Sequence, residues 1–436
     1  MKIGIIGAGF TGLSAAYYLQ KEGHTVTIFE RDKKPGGLAI GYKEKGWVWS
    51  LEEHYHHWFT NDKSVLNLAN EIDHKVVIKR PKTSSFINSE IHQLDSPLTL
   101  LKFPKLSITD RIRTGLSIGI LRYNPFWKFL ENFLAEPYLV KTMGKRAYQK
   151  LWEPLMVNKL GKYSSIVSLA WFWARVYKRT SNLAYPKGGF LEFASHLENI
   201  IKKGSGDLLY NCEVLRIEGK NNNIIRYKHE GNTAKENFDA ILVTTPMFVF
   251  QKIAPQLPKH YISRYSKLVG IGAINIVLRL KKEFFKDRTY WLSMCDLASP
   301  ILAIVEHTNF MNKKYYNNEH LLYIGNYMET TDPRFSMTAK QLLNLYDPWL
   351  KKINPDYQSQ LIDYQLFKAP FAQPIIPPQY SRKIPPMVTP LKNVFLANIQ
   401  QVYPWDRGTN YAVELGKKAA DFIIHEAKKD IKKTLS

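Results

Sequence analysis

A glycine-rich turn near the start of the chain has the residue types and spacing of a phosphate-binding loop. Gly7, Gly9 and Gly12 follow a short apolar run and open a stretch with helical spacing, and Glu30 closes the next apolar run. Gly7 permits a tight turn, Gly9 lets the backbone approach a pyrophosphate, and Gly12 lets the helix pack against the strand. The helix N-terminus offers free N–H groups to phosphates, and Glu30 can accept hydrogen bonds from ribose hydroxyls. The pattern predicts a dinucleotide site.

Two further segments favour FAD over NAD as the dinucleotide. Gly36 and Gly37, six and seven residues after Glu30, form a second loop in which bare backbone can approach a ligand. Residues 393–398 are typical of a strand, and they lead through the turn 403–410 into a helix start. That distant segment can meet a second polar part of one long ligand, as a flavin that threads through the protein requires.

These motifs resemble the flavin-containing amine oxidase and protoporphyrinogen oxidase superfamily, in which GxGxxG, Glu and Gly-Gly follow in order and a C-terminal segment contacts the flavin. The likeness also covers residues 185–189, 213–214 and 239–246. It implies that Val214 holds the adenine end through its backbone and that Glu30 and Arg31 flank the ribose. The cofactor contacts implied by the resemblance are Gly7, Gly9, Phe10, Thr11, Gly12, Glu30, Arg31, Gly36, Gly37, Leu38, Val214, Thr244, Asn398, Asp406, Arg407, Gly408, Thr409 and Asn410.

The densest cluster of polar and aromatic side chains lies at residues 54–59, His-Tyr-His-His-Trp-Phe. Strand alternation would send His54 and His56 to one face and His57 to the other, without a third ligand at zinc-like spacing, so no metal is expected. The cluster resembles the His-rich loop of UDP-galactopyranose mutase, which lies beside the flavin ring. That resemblance implies His54 and His57 as catalytic groups, with His56 and Trp58 facing the substrate. A purely structural histidine cluster stays an alternative.

A second polar group follows the apolar run 301–305 and contains Glu306, His307 and Asn309. Buried polar atoms must find hydrogen-bond partners, so these side chains either form a structural network or contact the substrate. Tyr327 is a further candidate substrate contact on the same grounds.

Composition limits the class of protein. The chain has 436 residues, of which 45% are hydrophobic and 13% aromatic, so two or three domains with a sizeable core are expected. Its two cysteines, Cys212 and Cys295, cannot build a disulfide framework or a Cys-based zinc site. No signal-peptide core and no apolar run of 18 residues is present, which predicts a cytoplasmic protein.

Positive charge is concentrated in one region. The formal net charge is +23, and residues 101–180 hold 15 Lys and Arg against 4 Asp and Glu. Interleaved tryptophans there predict either contact with an anionic membrane surface, at its inner face, or a helical cap with its own aromatic core. No nucleic-acid motif accompanies the charge, so nucleic acid is not an expected partner. A second GxGxxG is absent, so no NAD(P) domain is predicted.

Hydrophobic spacing indicates the elements that must position these residues. Apolar runs at 2–6 and 25–30 flank helical spacing at 11–22, which is a βαβ start. Further strands are predicted at 207–217, 224–229, 238–245, 268–279, 321–327 and 393–398. Further helices are predicted at 97–180, interrupted by prolines, at 336–352 and at 409–427, and an extended connector at 369–390.

The predicted fold class is α/β: a discontinuous Rossmann-like FAD-binding domain with an inserted α+β substrate domain that carries a helical cap. The FAD-binding domain would comprise residues 1–84, 181–250 and 391–427, the cap 85–180, and the substrate sheet with its connector 251–390.

The predicted activity is that of a FAD-dependent oxidoreductase, in which the flavin takes a hydride at N5 from a small-molecule or lipid-linked substrate. Two alternatives remain. One is a redox-neutral flavin mutase acting on a nucleotide sugar, and the other is a basic membrane- or nucleic-acid-binding protein in which FAD is structural.

Overall fold

A five-stranded parallel sheet is built from both ends of the chain. The computed structural model describes residues 1–219 and 223–435, and side chains up to residue 427. In order across this sheet, the strands are Asp207–Leu209, Thr25–Phe29, Lys2–Ile6, Ala240–Val243 and Val394–Leu396. Most positions of these strands are buried, as expected of a parallel sheet that is covered on both faces. The predicted βαβ start and the predicted last strand are confirmed.

Six helices accompany this sheet in the chain. They are Phe10–Lys21, Lys63–Glu71, Phe190–Lys203, Met247–Ile253, Lys259–Tyr265 and Thr409–Leu435. A three-stranded antiparallel sheet, Cys212–Glu218, Asn223–His229 and Asn232–Phe238, lies beside it. The single strand predicted at 207–217 is therefore wrong. Its first part joins the parallel sheet and its second part starts the antiparallel one, because the chain turns at Asn211, where φ is +49°.

A seven-stranded mixed sheet forms the second large layer. Its strand order is Leu361–Pro374, Gly270–Leu280, His320–Met328, Ala303–Glu306, Thr289–Met294, Lys82–Ile87 and Glu90–Gln93. Two boundaries differ from the prediction. Residues 369–374 continue an edge strand instead of starting a connector, and 85–93 belong to this sheet instead of the helical cap. The helices Pro333–Ser336 and Ala339–Ile353 confirm helical structure near 336–352. Smaller sheets pair Gly41–Tyr42 with Leu51–Glu52, and Trp58–Phe59 and Val76–Lys79 with Leu183–Pro186.

The region predicted to be helical is helical. Its helices are Pro97–Leu101, Ile108–Tyr123, Trp127–Leu130, Ala135–Met143, Lys145–Leu151, Glu153–Leu160 and Leu169–Lys178. Trp171, Trp173 and Tyr148 are buried in a hydrophobic cluster of this region, so these aromatic residues form its own core. Within the part of the chain that the structure describes, every helix is too short or too polar to cross a bilayer.

The C-terminal helix packs closely on the first helix. The hydroxyl of Ser14 donates a hydrogen bond to the carbonyl of Val413. A Cβ at Gly416 would lie 2.0 Å from Ser14 Oγ and 2.3 Å from the carbonyl oxygen of Thr11. Ser14 and Gly416 each lie within about two turns of the start of their helix, so this contact brings the two helix N-termini together.

A buried carboxyl group joins three segments beside this core. Glu52 is fully buried and accepts hydrogen bonds from the Tyr185 hydroxyl, at 2.8 and 2.9 Å, and from the Phe190 N–H at 2.9 Å. Its own carbonyl accepts a hydrogen bond from the Tyr323 hydroxyl. Burial raises the pKa of Glu52 to about 7, against the lowering effect of these hydrogen bonds.

We expect Gly416→Ala to lower the free energy of unfolding by about 3 kcal/mol, because the added Cβ overlaps the first helix and forces the two helices apart. Gly119→Ala is the matched control: Gly119 is also helical, and a Cβ there meets nothing within 4 Å. The control should be neutral or raise stability by up to ~1 kcal/mol. Denaturant unfolding of both variants measures the difference, and equal effects would contradict the packing described here.

We expect Glu52→Gln to become more stable relative to the wild type as pH rises. A carboxyl group whose pKa is raised in the folded state contributes stability below its unfolded pKa, and that contribution is lost as pH rises from about 4.5 through about 7. Glutamine has no such loss, so the difference in the free energy of unfolding should shift by roughly 3 kcal/mol over this interval. Denaturant unfolding at several pH values, at one FAD concentration, tests this; parallel pH profiles would refute it.

Candidate functional site

The first glycine turn is shaped for close backbone approach. Gly7 has a φ of +107°, and a Cβ there would lie 2.6 Å from Thr244 Oγ1. The Thr244 hydroxyl donates a hydrogen bond to the carbonyl of Ile6, so it closes the turn from the neighbouring strand. A Cβ at Gly12 would lie 2.0 Å from the carbonyl oxygen of Gly7. Both positions therefore require glycine, as predicted from the sequence.

The second glycine loop lies directly on the first. The Gly36 N–H donates to the carbonyl of Ala8, and a Cβ at Gly37 would lie 3.0 Å from the Cα of Gly9. Gly36 and Gly37 have φ values of +128° and +58°, where side chains are strained. The two loops therefore pack backbone against backbone, with no room for a side chain between them.

Glu30 lies at the carboxyl end of the second parallel strand. Its carboxylate accepts hydrogen bonds from the N–H groups of Ala8, at 2.7 Å, and Asp32, at 2.9 Å. Burial raises the pKa of Glu30, while these hydrogen bonds oppose the rise. The Cys212 N–H donates to the Glu30 carbonyl, which brings the strand containing Val214 next to this end of the sheet. Arg31 is exposed at the same end.

Phe10 and Thr11 can act on a cofactor only through their backbone. The Phe10 side chain is buried and packs on Phe190 and Phe193, and Thr11 is buried in the first helical turn. Their N–H groups belong to the first turn of the helix, where N–H groups have no intrahelical acceptor.

Three side chains of the C-terminal segment that were predicted to contact the cofactor form hydrogen bonds with other parts of the protein. The Asn398 side chain caps a short 3-10 helix and donates to the Thr245 carbonyl. Thr409 Oγ1 accepts a hydrogen bond from Trp58 Nε1 at 2.6 Å, and Asn410 Oδ1 accepts one from the Val65 N–H. The bonds to Thr409 and Asn410 use acceptor oxygens, so a contact of either side chain with a cofactor would use its donor group, the Thr409 hydroxyl or the Asn410 amide N–H.

A small cavity lies where the glycine loops, the seven-stranded sheet and the C-terminal segment meet. Its lining residues are Leu38, His54, Tyr55, His56, Ala273, Asn275, Tyr327, Ala372 and Arg407. Arg407 donates hydrogen bonds to the Tyr327 hydroxyl and to Gln373 Oε1. Five predicted site residues are thus brought together: Leu38, His54, His56, Tyr327 and Arg407.

Burial keeps the histidines of this cavity neutral. It lowers the pKa of His54 to about 3 and that of His56 to about 4, and the nearby positive charge of Arg407 adds to both effects. His54 Nδ1 is hydrogen-bonded to the Asn275 amide, and His56 Nδ1 is 2.6 Å from the His54 carbonyl oxygen. At neutral pH these rings act as hydrogen-bonding groups without charge.

Two members of the histidine cluster lie apart from the cavity. His57 Nδ1 is 3.1 Å from the Tyr290 hydroxyl and its ring packs on Trp291, while burial lowers its pKa to about 3. Trp58 is buried against Phe190. His57 and Trp58, predicted as a catalytic and a substrate-facing residue, are therefore placed outside the lining of the small cavity.

The group after the strand Ala303–Glu306 is a structural network. Glu306 is fully buried and accepts hydrogen bonds from the N–H groups of Phe284 and Phe285 and from Asn309 Nδ2. His307 is buried, and its Nε2 is 2.8 Å from the hydroxyl of Tyr316. The prediction that Glu306, His307 and Asn309 contact the substrate is therefore corrected, and the structural alternative holds.

A cluster with excess positive charge lies behind Tyr327. Asp406 forms an ion pair with Arg175 at 2.8 Å, and although burial opposes it, Arg175, Lys159 and Arg407 hold the pKa of Asp406 below its usual value. Lys159 Nζ lies 4.9 Å from the centre of the Tyr327 ring. Burial, together with Arg175 and Arg407, lowers the pKa of Lys159 well below its usual value. Asp406 therefore acts in this ion pair, and its predicted cofactor contact has no support in the geometry.

Sequence reasoning missed Asn275, Lys159 and Arg175 as members of this site. Asn275 is the one uncharged polar residue within the apolar strand Gly270–Leu280, which is a readable signal. Its Oδ1 is buried, with no hydrogen-bond partner among the residues that the structure describes. Lys159 and Arg175 carry no such signal, because they lie in a region where positive charge is frequent.

The residues at the sheet end fit a dinucleotide such as FAD. A Cβ at Gly9 would meet only Gly37 Cα, at 3.8 Å, so the turn leaves a cradle that this Cβ would fill, and the carboxylate of Glu30 lies beside the same turn. Among the described residues, no group of three His, Cys, Asp or Glu side chains is placed to hold a metal ion.

Comparison with known proteins identifies the family. Residues 10–424 match the family model of flavin-containing amine oxidoreductases. A 15-cis-phytoene desaturase of Glycine max is 22% identical, over 98% of this chain and 80% of its own length.

Solved structures share the fold. An oxidoreductase from Methanosarcina mazei has a TM-score of 0.75 and 18% identity, covering 96% of this chain and 99% of its own. Cyclohexylamine oxidase from Brevibacterium oxydans has a TM-score of 0.74 and 15% identity, covering 98% and 99%. The predicted fold class, the FAD cofactor and the oxidoreductase class are confirmed. The chain belongs to the family of flavin-containing amine oxidoreductases.

Proposed function

We propose that this protein oxidises a polar small-molecule or lipid-linked substrate by removing two electrons as a hydride. One observation carries the proposal. The small cavity is lined by Leu38, which follows the second glycine pair, and by Arg407, which precedes the C-terminal helix. The two cofactor-binding segments thus converge on one cavity, together with residues of the seven-stranded sheet. When bound, FAD supplies the hydride acceptor at N5, which no protein side chain can supply.

The chain's own residues position the substrate and exclude water. The Asn275 side chain holds a buried oxygen without a partner in the described chain, which supports a hydrogen bond to a ligand in the cavity. The same amide is hydrogen-bonded to His54, and burial keeps the His54 ring neutral. His54 can therefore orient a polar substrate group without adding charge. The positive charges of Arg175 and Arg407 exceed the single negative charge of Asp406, which favours an electron-rich group next to Tyr327.

A larger cavity lies beneath the helical cap. Its volume is about 560 Å³, and it lies between the helix Glu153–Leu160 and the seven-stranded sheet. Tyr327 lines both cavities. The polar residues of the larger cavity include Asn158, Lys162, Glu329, Asp332 and Arg334. These groups are paired within the protein: Lys162 with Glu329 and Arg334 with Asp332 form ion pairs, and the Asn158 amide donates to the carbonyl of Asp296.

The redox-neutral mutase activity is the weaker candidate. The family match is to oxidoreductases, and neither the desaturase nor the amine oxidase described above is a mutase by name.

We expect Gly37→Ala to weaken FAD binding at least about tenfold, which corresponds to ~1.4 kcal/mol. The added Cβ would lie 3.0 Å from Gly9 Cα and push the two glycine loops apart. Gly231→Ala is the matched control, since its φ of +84° imposes a similar backbone strain while a Cβ meets nothing within 4 Å. Titration of the two apo-proteins with FAD, followed by flavin absorbance, gives the dissociation constants. Equal constants would contradict the assignment of the cradle.

The proposed activity is tested by an anaerobic screen for compounds that bleach the flavin absorbance of the holoenzyme. With an active compound, we expect His54→Ala to slow flavin reduction at least about tenfold, because the group that orients the substrate is lost. His57→Ala should retain the wild-type rate, since this side chain contacts Tyr290 outside the cavity.

Dithionite reduction serves as the control reaction for both histidine variants, because it does not require an oriented substrate. Activity that appears only with pre-reduced flavin would favour the mutase and refute the proposal. Normal substrate reduction by His54→Ala would remove His54 from the site while leaving the oxidoreductase assignment intact.

A further inference from the structure

The helix Ile108–Tyr123 has its polar and apolar faces reversed with respect to water. Of its three buried residues, Thr114 and Ser117 are polar, and only Leu121 is a large apolar side chain. Ser117 Oγ is hydrogen-bonded to Thr142 Oγ1, so one polar group of the inner face has a polar partner on a neighbouring helix. Large apolar side chains, between 48% and 81% exposed, form the outer face: Ile108, Ile112, Leu116, Ile120 and Tyr123.

Neighbouring segments extend this surface. The further exposed apolar residues are Leu98, Leu101, Phe126, Phe129, Phe133 and Leu134. With the five residues of the helix they make what we call the apolar face. In the part of the chain that the structure describes, 23 large apolar residues are exposed, and 11 of them lie between residues 98 and 134. Exposed apolar residues are normally scattered singly over a protein surface. Their concentration in one short segment therefore marks an interaction surface.

Basic residues accompany the apolar face. Residues 97–146 contain nine Lys and Arg against three Asp and Glu. Two of the three acids are already paired, Asp110 with Arg146 at 2.8 Å and Glu131 with Lys128 at 3.0 Å. Lys102 and Arg113 are exposed close to the apolar side chains in sequence. The surface is therefore both apolar and positively charged.

We propose that the apolar face docks on the surface of an anionic lipid bilayer, with its aliphatic and aromatic side chains in the interface and its basic residues on the headgroups. Charge complementarity selects this partner, because a second copy of the same face would bring two positive surfaces together. An anionic bilayer satisfies both properties at once, since it accepts apolar side chains and attracts Lys and Arg. The apolar face makes the membrane contact, whereas Trp171 and Trp173 are buried in the core of the helical region.

The test is cosedimentation of the holoenzyme with vesicles of phosphatidylcholine, alone or mixed with phosphatidylglycerol. We expect binding to the mixed vesicles that weakens as salt is raised, and much weaker binding to phosphatidylcholine alone. Leu116→Gln with Ile120→Gln should lower the partition coefficient at least about tenfold, because two side chains leave the interface. Lys102→Gln with Arg113→Gln should lower it by about tenfold on mixed vesicles only.

Leu345→Gln with Ile362→Gln is the matched control, because it removes one exposed Leu and one exposed Ile elsewhere on the protein. Full FAD content and an unchanged Tm in all variants show that each is folded. The proposal is overturned if the wild type stays in the supernatant at low salt, or if the Leu116 and Ile120 changes affect binding no more than the control. It is also overturned if sedimentation without lipid shows a dimer that these two changes dissociate.

Discussion

The packing of the C-terminal helix on the first helix is the contact on which the rest of the structure depends. Gly416 and Thr11 are 405 positions apart in the chain, yet a single added Cβ would overlap the facing helix. Because the contact falls near the start of both helices, it places two helix N-termini at one edge of the parallel sheet. Free N–H groups and partial positive charge from both ends of the chain are thereby brought to the same place.

The segments inserted between the strands of the parallel sheet differ in architecture from one another. The seven-stranded sheet and the helical region are inserted between strands of the parallel sheet. Residues of the seven-stranded sheet line the small cavity together with residues of the glycine loops and of the C-terminal segment. Asn275 and Tyr327 come from that sheet, and Lys159 comes from the helical region. Burial lowers the pKa of His54 and so keeps its ring neutral. Lys159, Arg175 and Arg407 lie around the carboxylate of Asp406.

The histidine cluster shows where inference from sequence ends. Alternation groups His54 with His56 and would place Tyr55 with His57, yet Tyr55 lines the same cavity as both of these histidines, because residues 54–57 form a loop and no strand. It cannot tell which side is the interior, because that depends on Tyr290 and Asn275, both more than 200 positions away. The same limit applies to Glu306, whose acceptor atoms are occupied by the backbone of residues 284 and 285. In the helical region, spacing predicts stripes, but packing decides that Trp171 is covered and Leu116 exposed.

The sequence by itself determined the glycine loops, Glu30, the βαβ start, the helical region and the presence of a flavin, because these depend on backbone geometry and on spacing within short segments. The tertiary structure alone decided which polar side chains enter the cavity and which are consumed in structural hydrogen bonds. Asn398, Thr409 and Asn410 illustrate the difference, since their positions were predicted but their side chains hold neighbouring segments. A side chain's partner is set by the burial of distant segments, and no local pattern records it.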